Sequence, residues 1–502
     1  MKRIYILISL MIMAGATYAQ TADDALRYSK QYFNGTARSA AMGGAFGALG
    51  GDFTGIAINP AGLAVYRTSE LTFSSNLNFN DTKSLNLQAN TSLNEDKYSF
   101  GISNIGYVST NKPRIESEGG WQNFNFAIGY NKLNTYRKNA RSNAPEAPTS
   151  LLDVMVNNSN GISPNSLNSF REFLAYDTYL IDVVENTNNE YEAITSEILN
   201  QAQTIDEKGY AGEFLLAFAA NYNHKLYIGG SLGIQSIYYK STKAFSESIL
   251  SYSDSDFNDY TFEESFKSSG VGANFKLGVI YKPEQWLRLG ASIHTPTFYS
   301  FDEDYHSSMA SNFNTADENG DSSYYSQSPE GKYSYKYRTP LKATFSAALV
   351  LKKRLILSAD YELIDYSKAK FYDGDDGEDF NGTPGNPDTN DIIKASYQNT
   401  GNLRTGLEFR ATPNFSLRAG YAKMGNSFKV SGVDDGFDVF SGGFGFRQNN
   451  FFMDLAYSYA DVENQFVYYS YSDPNPDFSF SSDQIKENNK KHEVKVTFGF
   501  KF

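Results

Sequence analysis

Apolar and polar residues alternate with period two along most of the chain. The cleanest run is the last one, where Val494, Val496, Phe498, Phe500 and Phe502 alternate with Glu493, Lys495, Thr497, Gly499 and Lys501. Alternation of this kind gives a strand one apolar and one polar face. The pattern predicts fourteen strands, at 69–80, 97–109, 121–133, 211–223, 225–240, 267–282, 285–296, 334–351, 353–367, 397–411, 413–425, 436–448, 450–469 and 489–502. Short turns such as Asn223-His224 and Thr412-Pro413-Asn414 alternate with long polar stretches at 81–96, 134–210, 241–266, 297–333, 368–396, 426–435 and 470–488. Short turns at one end and long loops at the other are the signature of an outer-membrane barrel. Both termini fall on the short-turn side, which requires an even strand number, and closure removes every unpaired edge.

Two regions break the alternation. Residues 146–206 carry Ser150–Met155, Phe170–Leu174 and a longer stretch from Tyr179 to Gln203 with apolar residues at helical spacing. They predict two or three short amphipathic helices in the longest outer loop, 134–210, either as a cap for the barrel mouth or as a ligand-capturing lid. At the start, Lys2 and Arg3 precede an apolar stretch, Ile4 to Ala16, and Thr17-Tyr18-Ala19 supplies small residues for cleavage. Residues 1–19 thus read as a secretory signal, with Gln20 starting the mature chain.

Composition narrows the class further. No run of eighteen apolar residues follows the leader and mean hydropathy is −0.47, which excludes a helical membrane protein. Yet 37 Tyr and 38 Phe are present, in keeping with aromatic girdles around a polar lumen. The absence of cysteine removes disulfides, thiolate metal sites and thiol chemistry. A net charge of −13, or −15 without Lys2 and Arg3, argues against a nucleic-acid partner.

Residues 39–66 are rich in Gly and Ala but hold Phe46, Phe53, Ile56, Ile58 and Leu63, so they suit packing in a narrow lumen better than a linker. The runs Met42-Gly43-Gly44-Ala45-Phe46 and Asn59-Pro60-Ala61-Gly62-Leu63 resemble the N-terminal hatch of the FadL/TodX family of outer-membrane transporters. Weaker echoes are Thr339–Ser346, Leu357–Asp360 and Leu417–Tyr421. The resemblance implies a hatch over 20–67, a fourteen-stranded barrel over 68–502, and passive uptake of hydrophobic compounds such as long-chain fatty acids. It also implies lateral release at a kink in the third strand, where Gly129 is the candidate because glycine inside a strand permits a bend. The alternative within the same fold family is a PorV-like shuttle barrel of a protein-secretion system. The expected surroundings are outer-membrane lipid and lipopolysaccharide, with the barrel-assembly machinery engaging the terminal Phe502 and the barrel acting as a monomer.

Remaining chemistry is sparse. Gly229-Gly230-Ser231-Leu232-Gly233 has the spacing of a nucleophile elbow but lies inside an alternating strand rather than a strand-to-helix turn. His224, His294, His306 and His492 are too scattered for a metal site, and no cofactor or enzyme activity is expected. Asp373, Asp375, Asp376, Glu378 and Asp379 lack the twelfth-position Glu of an EF-hand and read as solvated loop or surface divalent-ion binding. On the polar face of the late strands, Arg404, Arg410, Arg418 and Arg447 are candidates to hold a ligand carboxylate.

Overall fold

The computed structural model describes residues 21–32, 35–112, 119–195, 197–250, 256–374, 380, 388–430, 432–473 and 478–502. The leader at 1–19 and Asp375, Asp376, Glu378 and Asp379 lie outside the described residues.

Fourteen strands form the wall: β1 (Glu70–Asn86), β2 (Ser92–Asn111), β3 (Trp121–Thr135), β4 (Leu199–Tyr222), β5 (Leu226–Ile249), β6 (Phe257–Glu284), β7 (Leu287–His294), β8 (Lys342–Leu351), β9 (Leu355–Asp365), β10 (Asn399–Arg410), β11 (Phe415–Met424), β12 (Phe437–Gln448), β13 (Phe451–Val467) and β14 (Gln484–Lys501). Successive strands pair antiparallel, and β14 closes on β1 from Glu70↔Lys501 to Asn86↔Ile485. Alternation follows from the two solvents the wall separates. On β1, Leu71, Phe73 and Leu77 face outward and are exposed, whereas Thr72, Ser74, Asn76 and Asn78 are buried on the lumen side.

The N-terminal segment occupies the lumen. It runs from α1 (Ala22–Ser29) through α2 (Ala37–Ala41) and α3 (Phe53–Ile58) to a 3-10 turn, Pro60–Val65. Ala37, Ala41, Met42, Ala45, Phe46 and Ala48 are fully buried there. Small side chains let this backbone approach the wall, and the wall reciprocates with glycine. A Cβ on Gly229 would meet the Pro60 carbonyl, one on Gly278 the Asn59 amide, and one on Gly406 the Met42 carbonyl. Gly229 of the G-x-S-x-G run is therefore a packing seat, consistent with its position inside β5.

The strands run further outward than alternation predicts. The stretches 81–96, 241–266 and 297–333 are not loops throughout: β1, β2, β5 and β6 extend into them, and Phe298–Phe313, Ser323–Gln327 and Gly331–Arg338 add paired strand. Beyond the lipid both faces meet water or protein, so the pairing persists while the apolar alternation fades. The predicted 334–351 strand is interrupted at Thr339–Leu341, where Pro340 supplies no N–H. Of the predicted loop helices, α4 (Leu151–Ser159) and α5 (Glu172–Asp177) are present. Tyr179 to Gln203 is not helical: it forms a small hairpin, Ile181–Val183 with Tyr191–Ala193, and the start of β4. The Asn186 and Asn189 positions adopt positive φ in its turn, which splits the helically spaced residues between two strands. A further helix, α6 (Thr389–Ser396), lies in another outer loop. Leu152, Met155, Leu174 and Leu180 pack with Phe245, Tyr260 and Met309 into a second apolar core in this outer cap.

Candidate functional site

Three anchors set the N-terminal segment against the wall. The carbonyls of Ala57 and Ile58 close α3, and they accept hydrogen bonds from Lys276 Nζ (3.2 Å), Ser292 Oγ (2.8 Å) and His294 Nε2 (2.8 Å). Lys276 is itself paired with Glu213 at 2.6 Å, both buried. Asn59 donates to the carbonyls of Gly47 (2.7 Å), Val279 (3.2 Å) and Ala291 (3.4 Å) while accepting from Ala61 N–H (3.1 Å). Arg38 reaches Glu408 at 2.9 Å. Of the candidate residues, Gly43, Gly44, Asn59, Pro60 and Ala61 lie against the wall, whereas Gly62 packs on Gly50 within the segment and Phe46 is buried beside Gly55. Gly43 and Gly44 take positive φ, 62° and 77°, with Gly43 tight against the carbonyls of Thr405 and Tyr421.

Above these anchors a cavity of about 360 Å³ opens between α1, the wall at β11–β14 and β1, and residues 134–138. Its lining includes the apolar or aromatic side chains Tyr32, Met424, Phe437, Val439 and Val462. It also carries the cations Arg27, Lys30, Arg137, Lys138 and Lys491, together with Glu207, Glu487 and Glu493. Lys138 pairs with Glu487 at 3.0 Å, and Lys30 pairs with Asp435.

Next to the cavity the wall is incompletely paired. β2 and β3 pair only from Asn104↔Asn131 to Asn111↔Phe124, so among the described residues the backbone of Ser92–Ser103 pairs with no strand on that side, where Lys97 instead reaches Asn139 and Asp206, both at 2.8 Å. β3 departs because its register on β4 shifts between Lys132 and Asn134, and an inner strand, Lys138–Ala147, then pairs with the outer part of β4. The Leu133 carbonyl at the shift accepts from Tyr32 N–H at 3.0 Å, which ties the departure to the N-terminal segment.

The family model described as outer membrane protein transport protein (OMPP1/FadL/TodX) matches residues 213–484, more than half of the chain. The chain belongs to this family. FadL/TodX proteins are outer-membrane transporters of hydrophobic compounds, and transport rather than catalysis is the task of this barrel. The fold is similar to the crystal structure of a Pseudomonas aeruginosa FadL homologue, with TM-score 0.55 and 14% identity over 93% of this chain and 98% of that one. It is also similar to the P. putida toluene transporter TodX, with TM-score 0.52 and 12% identity over 94% and 99%. No curated protein matches the sequence.

The other candidate residues are placed apart from one another in the structure. Gly129 is paired with both Gly106 and Leu215, and the register shifts of β3 on β4 fall to either side of it, at Trp121–Asn123 and Lys132–Asn134. Gly129 and Gly106 make room for the Phe53 ring. Arg418 is held by Glu408 (2.8 Å) and Asp454 (2.6 Å), so its guanidinium serves internal carboxylates. Arg404 lines the cavity but pairs with Glu362 at 3.0 Å. Arg410 and Arg447 sit exposed near the short-turn end of the wall, away from the cavity. Besides Arg404, the cations lining the cavity are Arg27 of α1, Lys30 just after it, Arg137, Lys138 and Lys491. The last of these lies in the polar face of the clearest strand; the others sit outside regular alternation and carried no such signal.

Proposed function

We propose that this barrel carries amphipathic hydrophobic molecules with an anionic head, long-chain fatty acids being the type case, passively across the outer membrane. The observation that supports this reading is the cavity, which is lined by both cations and apolar side chains. A carboxylate would lie among Lys138, Lys491 and Arg137, with its chain along Phe437, Val439 and Val462. In this reading residues 20–67 act as the hatch, residues 1–19 direct export, and the incomplete β2–β3 pairing is the lateral exit into the membrane. An apolar-walled cavity also favours transport over the PorV-like alternative, in which a lumen sealed by charge would suffice.

Uptake of labelled palmitate by Gram-negative cells lacking their own transporter, with this barrel at the surface, tests the reading. Saturable uptake above the empty-vector control is expected. Uptake equal to that control by a correctly folded barrel would refute the fatty-acid assignment.

A further inference from the structure

Lys132 follows Phe124, Phe126, Ile128 and Tyr130 on the outward-facing row of β3. Its ammonium nevertheless reaches the lumen side, where it donates to Asn76 Oδ1 at 3.2 Å. The side chain therefore passes through the place where β2 and β3 have stopped pairing. Beside the ammonium, on β2, stands Gly101, the register partner of Asn76, on which a Cβ would lie 2.5 Å from the Lys132 ammonium. Absence of a side chain at 101 is what leaves room for the lysine. Asn76 in turn donates to Glu493 Oε1 at 2.7 Å, and Glu493 lines the cavity. The ammonium has three donors, and its described hydrogen bond is to a neutral amide rather than to a carboxylate.

We propose that Lys132 is the bolt of the lateral opening: its ammonium closes the space between Gly101 and Asn76, and an anionic ligand head draws it aside by taking over its hydrogen bonds. Two consequences follow from the geometry. A neutral hydrocarbon offers nothing to exchange for the Asn76 contact, so the opening favours anions over uncharged chains of equal length. The bolt also sits one residue from Leu133, whose carbonyl is held by Tyr32, so the N-terminal segment sets where it lies. This inference rests on the lateral-release reading and names the residue that controls it.

The experiment combines palmitate uptake with photocrosslinking, using a diazirine-bearing palmitate on surface-expressed, heat-modifiable barrel. In the unaltered protein, crosslinks are expected both in the cavity, at Phe437 and Val439, and on the outer face of the opening, at Ile102 and Tyr130. Lys132→Met keeps a long side chain in the space but gives an anion nothing to draw aside, so it should lower uptake about tenfold and leave crosslinks in the cavity while those at Ile102 and Tyr130 vanish. Lys132→Arg keeps the charge and should retain both signals. Gly101→Ala, which displaces the ammonium with Lys132 still present, should draw the bolt instead: uptake of labelled hexadecane, weak in the unaltered protein, should rise toward that of palmitate, which covers the case in which Lys132→Met does not fold. Unchanged uptake and crosslinks in Lys132→Met, or no gain in hexadecane uptake in Gly101→Ala, would overturn the bolt while lateral release stands. Palmitate uptake by the unaltered protein with no crosslink at Ile102 or Tyr130 would instead overturn lateral release itself.

Discussion

Burial of charge is the feature that most strongly fixes individual residues in this lumen. Lys276 and Glu213 are 2% and 0% exposed, and they have no water to fall back on if either loses its partner. Lys276→Met strands the Glu213 carboxylate and also frees the Ala57 carbonyl. The expected cost is about 3–5 kcal/mol, read as a lower urea midpoint of the folded barrel in detergent. The double variant Lys276→Met/Glu213→Gln should recover a large part of that loss, because no unpaired charge remains. A double variant no more stable than the single one would show that the pair matters through packing alone. Neither residue is marked out by its neighbours in the chain. Both occupy ordinary polar-face positions, and only the meeting of β4 with β6 on either side of β5, under α3, makes them a pair.

At the scale of elements, the outer cap depends on a carboxylate placed at a helix start. Beyond its apolar outward row at Ile228, Leu232 and Ile234, β5 leaves the lipid and enters the cap, where Glu247 is buried. It accepts from Ser150 Oγ (2.5 Å), Leu151 N–H (3.2 Å), Gln201 Nε2 (2.7 Å) and Tyr260 OH (2.6 Å), and so joins the first turn of α4 to β4, β5 and β6. Burial pushes its pKa up to about 7, against the pull of those hydrogen bonds. The folded value lies above the unfolded one, so protonation favours the docked cap. That contribution is complete below the ordinary carboxylate range and is lost as pH rises through about 7. Amide exchange in residues 151–159 is therefore expected to quicken between pH 6 and pH 8 more than the intrinsic rate does. Glu247→Gln should abolish that extra dependence. If the excess persists in the variant, another group governs cap docking. Sequence pattern located α4 and α5 but not this joint, since Ser150 and Glu247 are 97 residues apart.

For the whole molecule, the backbone pairing that closes the wall is separate from the bonds that hold the N-terminal segment to it. β14 and β1 close the barrel through a continuous register from Glu70 to Asn86, with no contribution from residues 22–66. Deleting residues 20–66 should accordingly leave a folded, heat-modifiable barrel with a wet lumen. Its single-channel conductance in planar bilayers should rise well above that of the full chain. A deletion protein that never becomes heat-modifiable would mean that the segment is required for closure. Conductance unchanged in a folded deletion protein would mean that the cap, rather than the segment, blocks the pore.

The sequence by itself determined the wall. Each strand has one face toward lipid and one toward the lumen, so period-two alternation counted fourteen strands and the turns ordered them. The small residues at 39–66 likewise marked a segment able to lie inside a narrow lumen, because side-chain size is a local property. Tertiary structure alone decided which lumen groups meet. Arg38 finds Glu408, Asn59 finds Ala291, and Arg418 is consumed by Glu408 and Asp454, across separations that no local pattern encodes. It also placed a register shift of β3 at Lys132–Asn134 and turned the Lys132 ammonium inward. Strand register and a neighbour's missing side chain at Gly101 set those positions, and both are properties of paired strands rather than of either strand alone.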